Sequence, residues 1–159
     1  MTYEEWLASV PSELSGDPLW RMEVYRLAIF ASDLAWHDVS KLAKDRRTVS
    51  LASQLYRAVG SIGANVAEGY SRQSGRDQAR FYEYALGSAR EARGWYYQGR
   101  HVLLVAVVAH RLKLLTRIIR LLLTIIPLER GYKMGDRARE AKPFYDVMSE
   151  ELLDDPPMQ

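Results

Sequence analysis

Apolar residues recur along this chain at intervals of three and four, the spacing of one helical face, and nowhere alternate with polar ones as strand residues do. Trp20, Val24, Leu27, Ala31, Leu34, Ala35 and Leu42 predict a first long helix. It starts at Asp17-Pro18, an N-cap followed by a proline at the first helical position, and runs to about residue 44. Asp45-Arg46-Arg47-Thr48 breaks it. Leu51, Leu55, Ala58, Val59, Ile62 and Val66 predict a second helix over 50–68, with Gly69 placed for a left-handed C-terminal cap. Ser74-x-x-Asp77 is a capping box that opens a third helix. This helix carries Phe81, Ala85, Ser88, Ala92, Trp95 and Tyr96 and ends near 100–103. The fourth holds Leu112, Leu115, Ile118, Ile119, Leu122 and Ile125, and Pro127 stops it. Its apolar positions nearly encircle it, which predicts deep burial, in part by another subunit. Ahead of these, Thr2-x-x-Glu5 caps a short helix over 2–10, and 12–16 reads as a linker.

The pattern therefore predicts an all-α fold, an antiparallel four-helix bundle over 17–128. A short N-terminal helical extension (1–16) precedes it, and an irregular C-terminal tail (129–159) follows, disordered from about residue 151. A length of 159 residues fits one domain with a real core. Absence of cysteine excludes disulfides and thiolate metal sites and fits a reducing cytosol. The acidic start Met1-Thr2-Tyr3-Glu4-Glu5 lacks the apolar stretch of a signal peptide. The longest apolar run, 102–109, falls far short of the roughly 20 residues that span a bilayer. A cytoplasmic protein without a membrane role is expected.

Charge changes the picture more than composition does. Residues 1–56 hold 6 Lys/Arg against 8 Asp/Glu, 57–139 hold 15 against 6, and 140–159 hold 1 against 6. A basic body with an acidic tail points to an anionic partner, to a tail folded back over the basic surface, or simply to a solvated helix surface.

Gly60, Gly63, Gly87, Gly94 and Gly99 all fall inside predicted helices. Each costs about 0.8–1 kcal/mol relative to alanine. Close backbone approach would offset that, and a hairpin turning near Gln73-Ser74 sets Gly60 opposite Gly87. A close helix crossing at Gly60, Gly63 and Gly87 is the expectation; loose helices are the alternative. Asn65 follows Ile62 by three and lies near the apolar stripe, where it needs partners. Ser61, Glu68, Ser88 and Glu91 could join it in a polar network that fixes register; the alternative is a ligand site.

Catalytic motifs are missing. No Glu-x-x-His pair of a di-metal bundle occurs, and Asp33–His37 alone has a metal-like spacing. There is no phosphate loop, dinucleotide fingerprint or nucleophile elbow. No catalysis, no metal and no cofactor are expected. What remains is arginine. Arg72, Arg76 and Arg80 cluster at a helix N-terminus, which adds partial positive charge. Arg90, Arg93 and Arg100 follow among Tyr84, Trp95, Tyr96 and Tyr97, then Arg111, Lys113, Arg117 and Arg120. Arginine with aromatics suits single-stranded nucleic acid and equally a protein interface. Asp77, Glu83 and Glu91 interrupt the patch.

The segment Leu55-Tyr56-Arg57-Ala58-Val59-Gly60-Ser61-Ile62-Gly63-Ala64-Asn65-Val66-Ala67-Glu68-Gly69 resembles a known signature, Ser-Ile followed by Asn-Ile-Ala-Glu-Gly. Phe81-Tyr82-Glu83-Tyr84-Ala85-Leu86-Gly87-Ser88-Ala89-Arg90-Glu91 resembles the second block of the same family. This is the four-helix bundle family of bacterial 23S rRNA intervening-sequence proteins, to which accessory proteins of diversity-generating retroelements are related. The resemblance covers about residues 19–127. It implies an up-down bundle assembled as a homopentamer, no catalysis, and binding to RNA or to a reverse transcriptase. The expected function is thus a non-catalytic homo-oligomeric bundle that binds RNA, DNA or a nucleic-acid enzyme. Arg72, Arg76, Arg80, Arg90, Arg93, Arg100, Arg117 and Arg120 are the candidate contacts. The alternative is a protein-only scaffold.

Overall fold

A computed structural model describes residues 2–131 and 157–158. The described residues form helices joined by short turns: α1 (Tyr3–Ser9), α2 (Ser12–Ser15), α3 (Glu23–Leu42), α4 (Val49–Tyr70), α5 (Gly75–Gln98) and α6 (Val105–Glu129). The four long helices pack in a ring, α4 on α5 most extensively, then α5 on α6, α3 on α4, and α3 on α6 to close it. This is the antiparallel bundle that the periodicity predicts. Turns at 43–48 and 99–104 lie at one end, and the 71–74 turn lies at the other.

Each helix buries the stripe that defines it. Leu55, Val59, Ile62 and Val66 of α4 are wholly buried, as are Ala79, Ala85, Ala89 and Ala92 of α5. Burying a branched aliphatic side chain contributes about 1.5–3 kcal/mol, so the stripes rather than helix propensity hold the bundle together. The alanines of α5 let α4 and α6 approach it. At the N-terminus, Thr2 and Glu5 form the reciprocal capping box. Tyr3 and Trp6 of α1 reach the core, each with its ring centroid 5.0 Å from that of Phe30. Trp6 Nε1 donates to Asp33 Oδ2 at 2.6 Å. The extension is therefore packed onto α3.

Several expectations are corrected. Asp17 does cap, accepting from the Leu19 N–H, but it caps a 3₁₀ turn over Pro18–Arg21; α3 starts only at Glu23. Met22 is extended and separates the two. The linker at 12–16 contains the single-turn α2. Gly69 ends no helix: it lies in the last turn of α4 beside the Tyr82 ring, where an added Cβ would sit 2.7 Å from Cε1. The described glycine with positive φ is Gly131, at +76° after α6. Pro127 sits inside the last turn of α6, and the helix runs on to Glu129.

The predicted crossing at Gly60 and Gly87 does not occur within the chain. Both are exposed, and a Cβ at either would meet nothing within 4 Å. Helical phase explains this: the packed face of α4 is Leu55, Val59, Ile62 and Val66, and Gly60 lies about 100° from Val59. Gly63 does mark a close approach, but to α3, with its added Cβ 3.2 Å from Ile29 Cδ1. Gly69 marks a close approach of α4 to α5, at Tyr82 and Phe81.

Residues α6 leaves uncovered bear on assembly. Leu114, Leu115, Ile118 and Leu122 are buried, whereas Leu123, Leu128 and Val105 are exposed. The all-round burial expected for this helix is thus incomplete in one chain. No helix among the described residues is long and apolar enough to cross a membrane. The expected tail disorder falls largely outside the described residues.

Candidate nucleic-acid interface

The eight candidate arginines do not form one patch. Arg72, Arg76 and Arg80 stand at the 71–74 end, where Ser74 caps α5 by accepting from the Asp77 N–H at 3.1 Å. Arg72 pairs with Glu68 and lies over the Phe81 ring, 4.5 Å from its centroid. Arg80 lies 5.5 Å from the same ring and 4.0 Å from Asp77. Arg76 and Arg90 are exposed and have no partner among the described residues. Arg93 reaches across to α6, donating to Thr116 Oγ1 at 3.3 Å. Arg117 pairs with Glu23 of α3, and Arg120 is half-buried on α6. Arg100 lies at the opposite end of α5 from Arg72, stacked over Tyr97 at 4.1 Å. Some 24 residues of α5 place those ends about 36 Å apart. The structure thus brings together the three hairpin arginines and leaves Arg90, Arg93, Arg100, Arg117 and Arg120 spread along the bundle.

The polar network expected around Asn65 does not form. Asn65 is half-buried and turns back on its own helix, donating to the Ser61 carbonyl at 2.8 Å. Glu68 goes to Arg72, Ser88 to the Tyr84 carbonyl, and Glu91 to the Trp95 indole. Each finds a nearer partner one helical turn away, so none reaches across the interface.

The buried polar centre lies elsewhere. Asp38 of α3 and Arg111 of α6 are almost completely enclosed, at 0% and 1% exposure. Arg111 Nε donates to Asp38 Oδ2 at 2.8 Å and Nη2 to Oδ1 at 3.2 Å. The Tyr96 hydroxyl donates to Oδ2 at 2.8 Å. Burial, with the Asp38 charge beside it, raises the Tyr96 phenol well above its usual range. His110 Nδ1 lies 2.9 Å from Arg111 Nη1, and the Pro157 carbonyl accepts from Nη2 at 2.9 Å. The described end of the chain thus returns to this centre. Arg111, in sequence the first of the basic series Arg111, Lys113, Arg117 and Arg120, belongs to the core and not to the surface. The signal was present in spacing. Asp38 precedes Leu42 by four, and Arg111 precedes Leu115 by four, so both sit on apolar stripes.

Among the described residues, every buried side-chain nitrogen and oxygen, those of this centre included, has a hydrogen-bond partner. That is the arrangement of a register-fixing ion pair. Among the described residues no group of three His, Asp or Glu could hold a metal.

Comparison with curated proteins and with solved structures returns no match. The family described as 23S rRNA-intervening sequence protein matches residues 21–124. The matched stretch spans α3, α4 and α5 and most of α6, and omits α1 and α2. It covers the bundle that the apolar periodicity defines and well over half of the sequence, and the chain belongs to the 23S rRNA-intervening sequence protein family.

Proposed function

We propose that this chain is a non-catalytic homo-oligomeric bundle that binds RNA, or another nucleic acid, through its basic surface. The observation that carries the reading is the set of exposed arginines in the basic stretch 57–139. Arg76 and Arg90 have no partner among the described residues, and Arg72 and Arg80 both lie near the Phe81 ring at a helix N-terminus. Charge of this kind holds phosphates without reading sequence, because nothing in the bundle is shaped to enter a groove and reach base edges. Homo-oligomerisation, as the pentamer that the resemblance implies, multiplies weak contacts into avidity. Exposed Leu123 and Leu128 on α6 support a subunit contact there. A reverse transcriptase, or another nucleic-acid enzyme, is the protein partner that the retroelement relation favours.

The test is retention of labelled single-stranded RNA on a filter by the full chain and by a chain ending at residue 139. Binding that tightens on removal of the acidic residues 140–159 supports the reading. Retention by neither chain contradicts it. A protein-only scaffold is the second reading, favoured by exposed Trp36 and Tyr56, whose rings meet edge-on at 5.9 Å on the surface.

A further inference from the structure

Among the described residues, a further group of cations without ion pairs lies away from the hairpin. At the other end of the bundle, Lys41, Lys44, Asp45, Arg46, Arg47 and Val102 line an open groove of about 510 Å³. The fold assembles it from two turns distant in sequence. Gly99 has no side chain, so the connection between α5 and α6 presses against the end of α3; a Cβ there would sit 3.3 Å from Leu42 Cδ2. That contact sets Val102 against the 43–48 turn, with Arg100 and His101 at the same end.

The turn itself is fixed. Thr48 Oγ1 donates to the Leu42 carbonyl at 2.6 Å, and the Thr48 N–H donates to the Asp45 carbonyl at 2.9 Å. Asp45 is committed to Arg47, accepting from its backbone N–H at 2.9 Å, its Nε at 3.0 Å and its Nη2 at 2.6 Å. These bonds hold the Asp45 carboxyl down at about 2, so it stays charged and spent on Arg47. Lys41, Lys44 and Arg46 are exposed and have no ion pair among the described residues. A helix C-terminus attracts a cation, but the partial charge there is only about half a unit, less than one lysine offsets. The remaining positive charge on this rim has no counterpart among the described residues.

We propose that this groove is a binding site for the phosphodiester backbone of single-stranded RNA; the proposal rests on the nucleic-acid reading above and locates its principal contacts. The cations are exposed and strung along a rim, with no buried donor to enclose one phosphate, so they match a chain of phosphates rather than a single anion. At the same end of the bundle, outside the lining of the groove, Tyr97 is more than half exposed and carries Arg100 over its ring at 4.1 Å. An open tyrosine with an adjacent guanidinium offers an unpaired base a stacking surface. An acidic peptide would use the charges and leave the ring idle.

The test is fluorescence anisotropy with a labelled oligouridylate in about 50 mM salt and upward, on the full chain and two charge-matched triples. One is Lys41→Ser with Lys44→Ser and Arg46→Ser; the other is Arg72→Ser with Arg76→Ser and Arg80→Ser. All six positions are exposed, and circular dichroism verifies the fold. The loop triple is expected to bind at least about tenfold more weakly than the wild type, with the salt slope reduced by about 2, three single-strand phosphate contacts at about 0.7 each. A loop triple within twofold of a binding wild type overturns the groove and leaves the nucleic-acid reading standing. A wild type that binds no RNA overturns both. Tighter binding of oligoglutamate than of RNA, lost in the loop triple, overturns the RNA assignment in favour of a protein partner.

Discussion

Arg111 on α6 grips Asp38 on α3 through two parallel hydrogen bonds, 2.8 and 3.2 Å long, in a site that solvent does not reach. The pair joins the first and last long helices, the contact that closes the ring. Two charges taken from water gain little net stability, but one left alone is severely unfavourable. Asp38→Ala should therefore destabilise the bundle by about 3–5 kcal/mol and lower the melting temperature by about 10 °C. Replacing both residues with Leu and Met should restore most of that loss. A thermal melt by circular dichroism reads both, and an Asp38→Ala melt equal to wild type would refute the account of this centre.

Alkaline pH acts on two buried phenols, Tyr96 in this centre and Tyr82 towards the other end of α5. Burial pushes the Tyr82 phenol up to about 12 and raises the Tyr96 phenol as well. Both ionise near 10 once unfolded. Above pH 10 the unfolded chain releases protons that the folded chain retains, so their contribution to stability is complete below 10 and lost as pH rises through 12. Chemical denaturation between pH 9 and 12 should show falling stability, with a shallower decline in Tyr82→Phe. An identical slope in wild type and variant would show that this phenol does not drive the loss.

The helical glycines separate into two kinds. Gly87 is exposed and meets nothing, so Gly87→Ala should stabilise by about 0.8–1 kcal/mol through helix propensity alone. Gly69→Ala forces a methyl against the Tyr82 ring and Phe81 Cβ at 2.7–3.1 Å, and should destabilise. The two melting temperatures should move in opposite directions; a fall for Gly87→Ala would place that face against a neighbour.

These glycines also show where sequence reasoning stops. Apolar spacing located all four long helices, and Thr2, Asp17 and Ser74 were correctly read as caps, because each is decided within one or two turns. Asp17 could not reveal that its turn was 3₁₀, since the break at Met22 depends on how the turn packs. Gly60 was paired with Gly87 by counting from the hairpin, which fixes height along the bundle but not rotation about the helix axis. Asp38 and Arg111 lie 73 residues apart, and only folding brings them together. Even so, a charged residue on each apolar stripe was visible. The groove at Lys41–Arg47 is not legible in the sequence, because Lys41 and Lys44 read as the end of the first helix, Asp45–Thr48 as its break, and the other wall comes from residue 102.

The proposed assembly would use α6. Exposed Leu128 shares a face with half-buried Leu121 and Ile125, exposed Leu123 lies on another flank of the helix, and a second copy should cover them. Light scattering at micromolar concentration should return a multiple of the 18.3 kDa chain mass, five for the pentamer. Leu123→Lys with Leu128→Lys should lower that mass without loss of helicity. A wild-type mass of one chain would remove the oligomer from the account.

RNA binding by a basic bundle through phosphates is the central claim, and its salt dependence is the direct measure. A labelled single strand titrated with the full chain from about 50 to 200 mM salt should give a straight line of log K against log salt. The slope should be about −2 or steeper, with affinity nearly equal for strands of different sequence. No binding at about 50 mM salt, with or without residues 140–159, would contradict the claim and leave the arginines as a solvated surface or a protein contact.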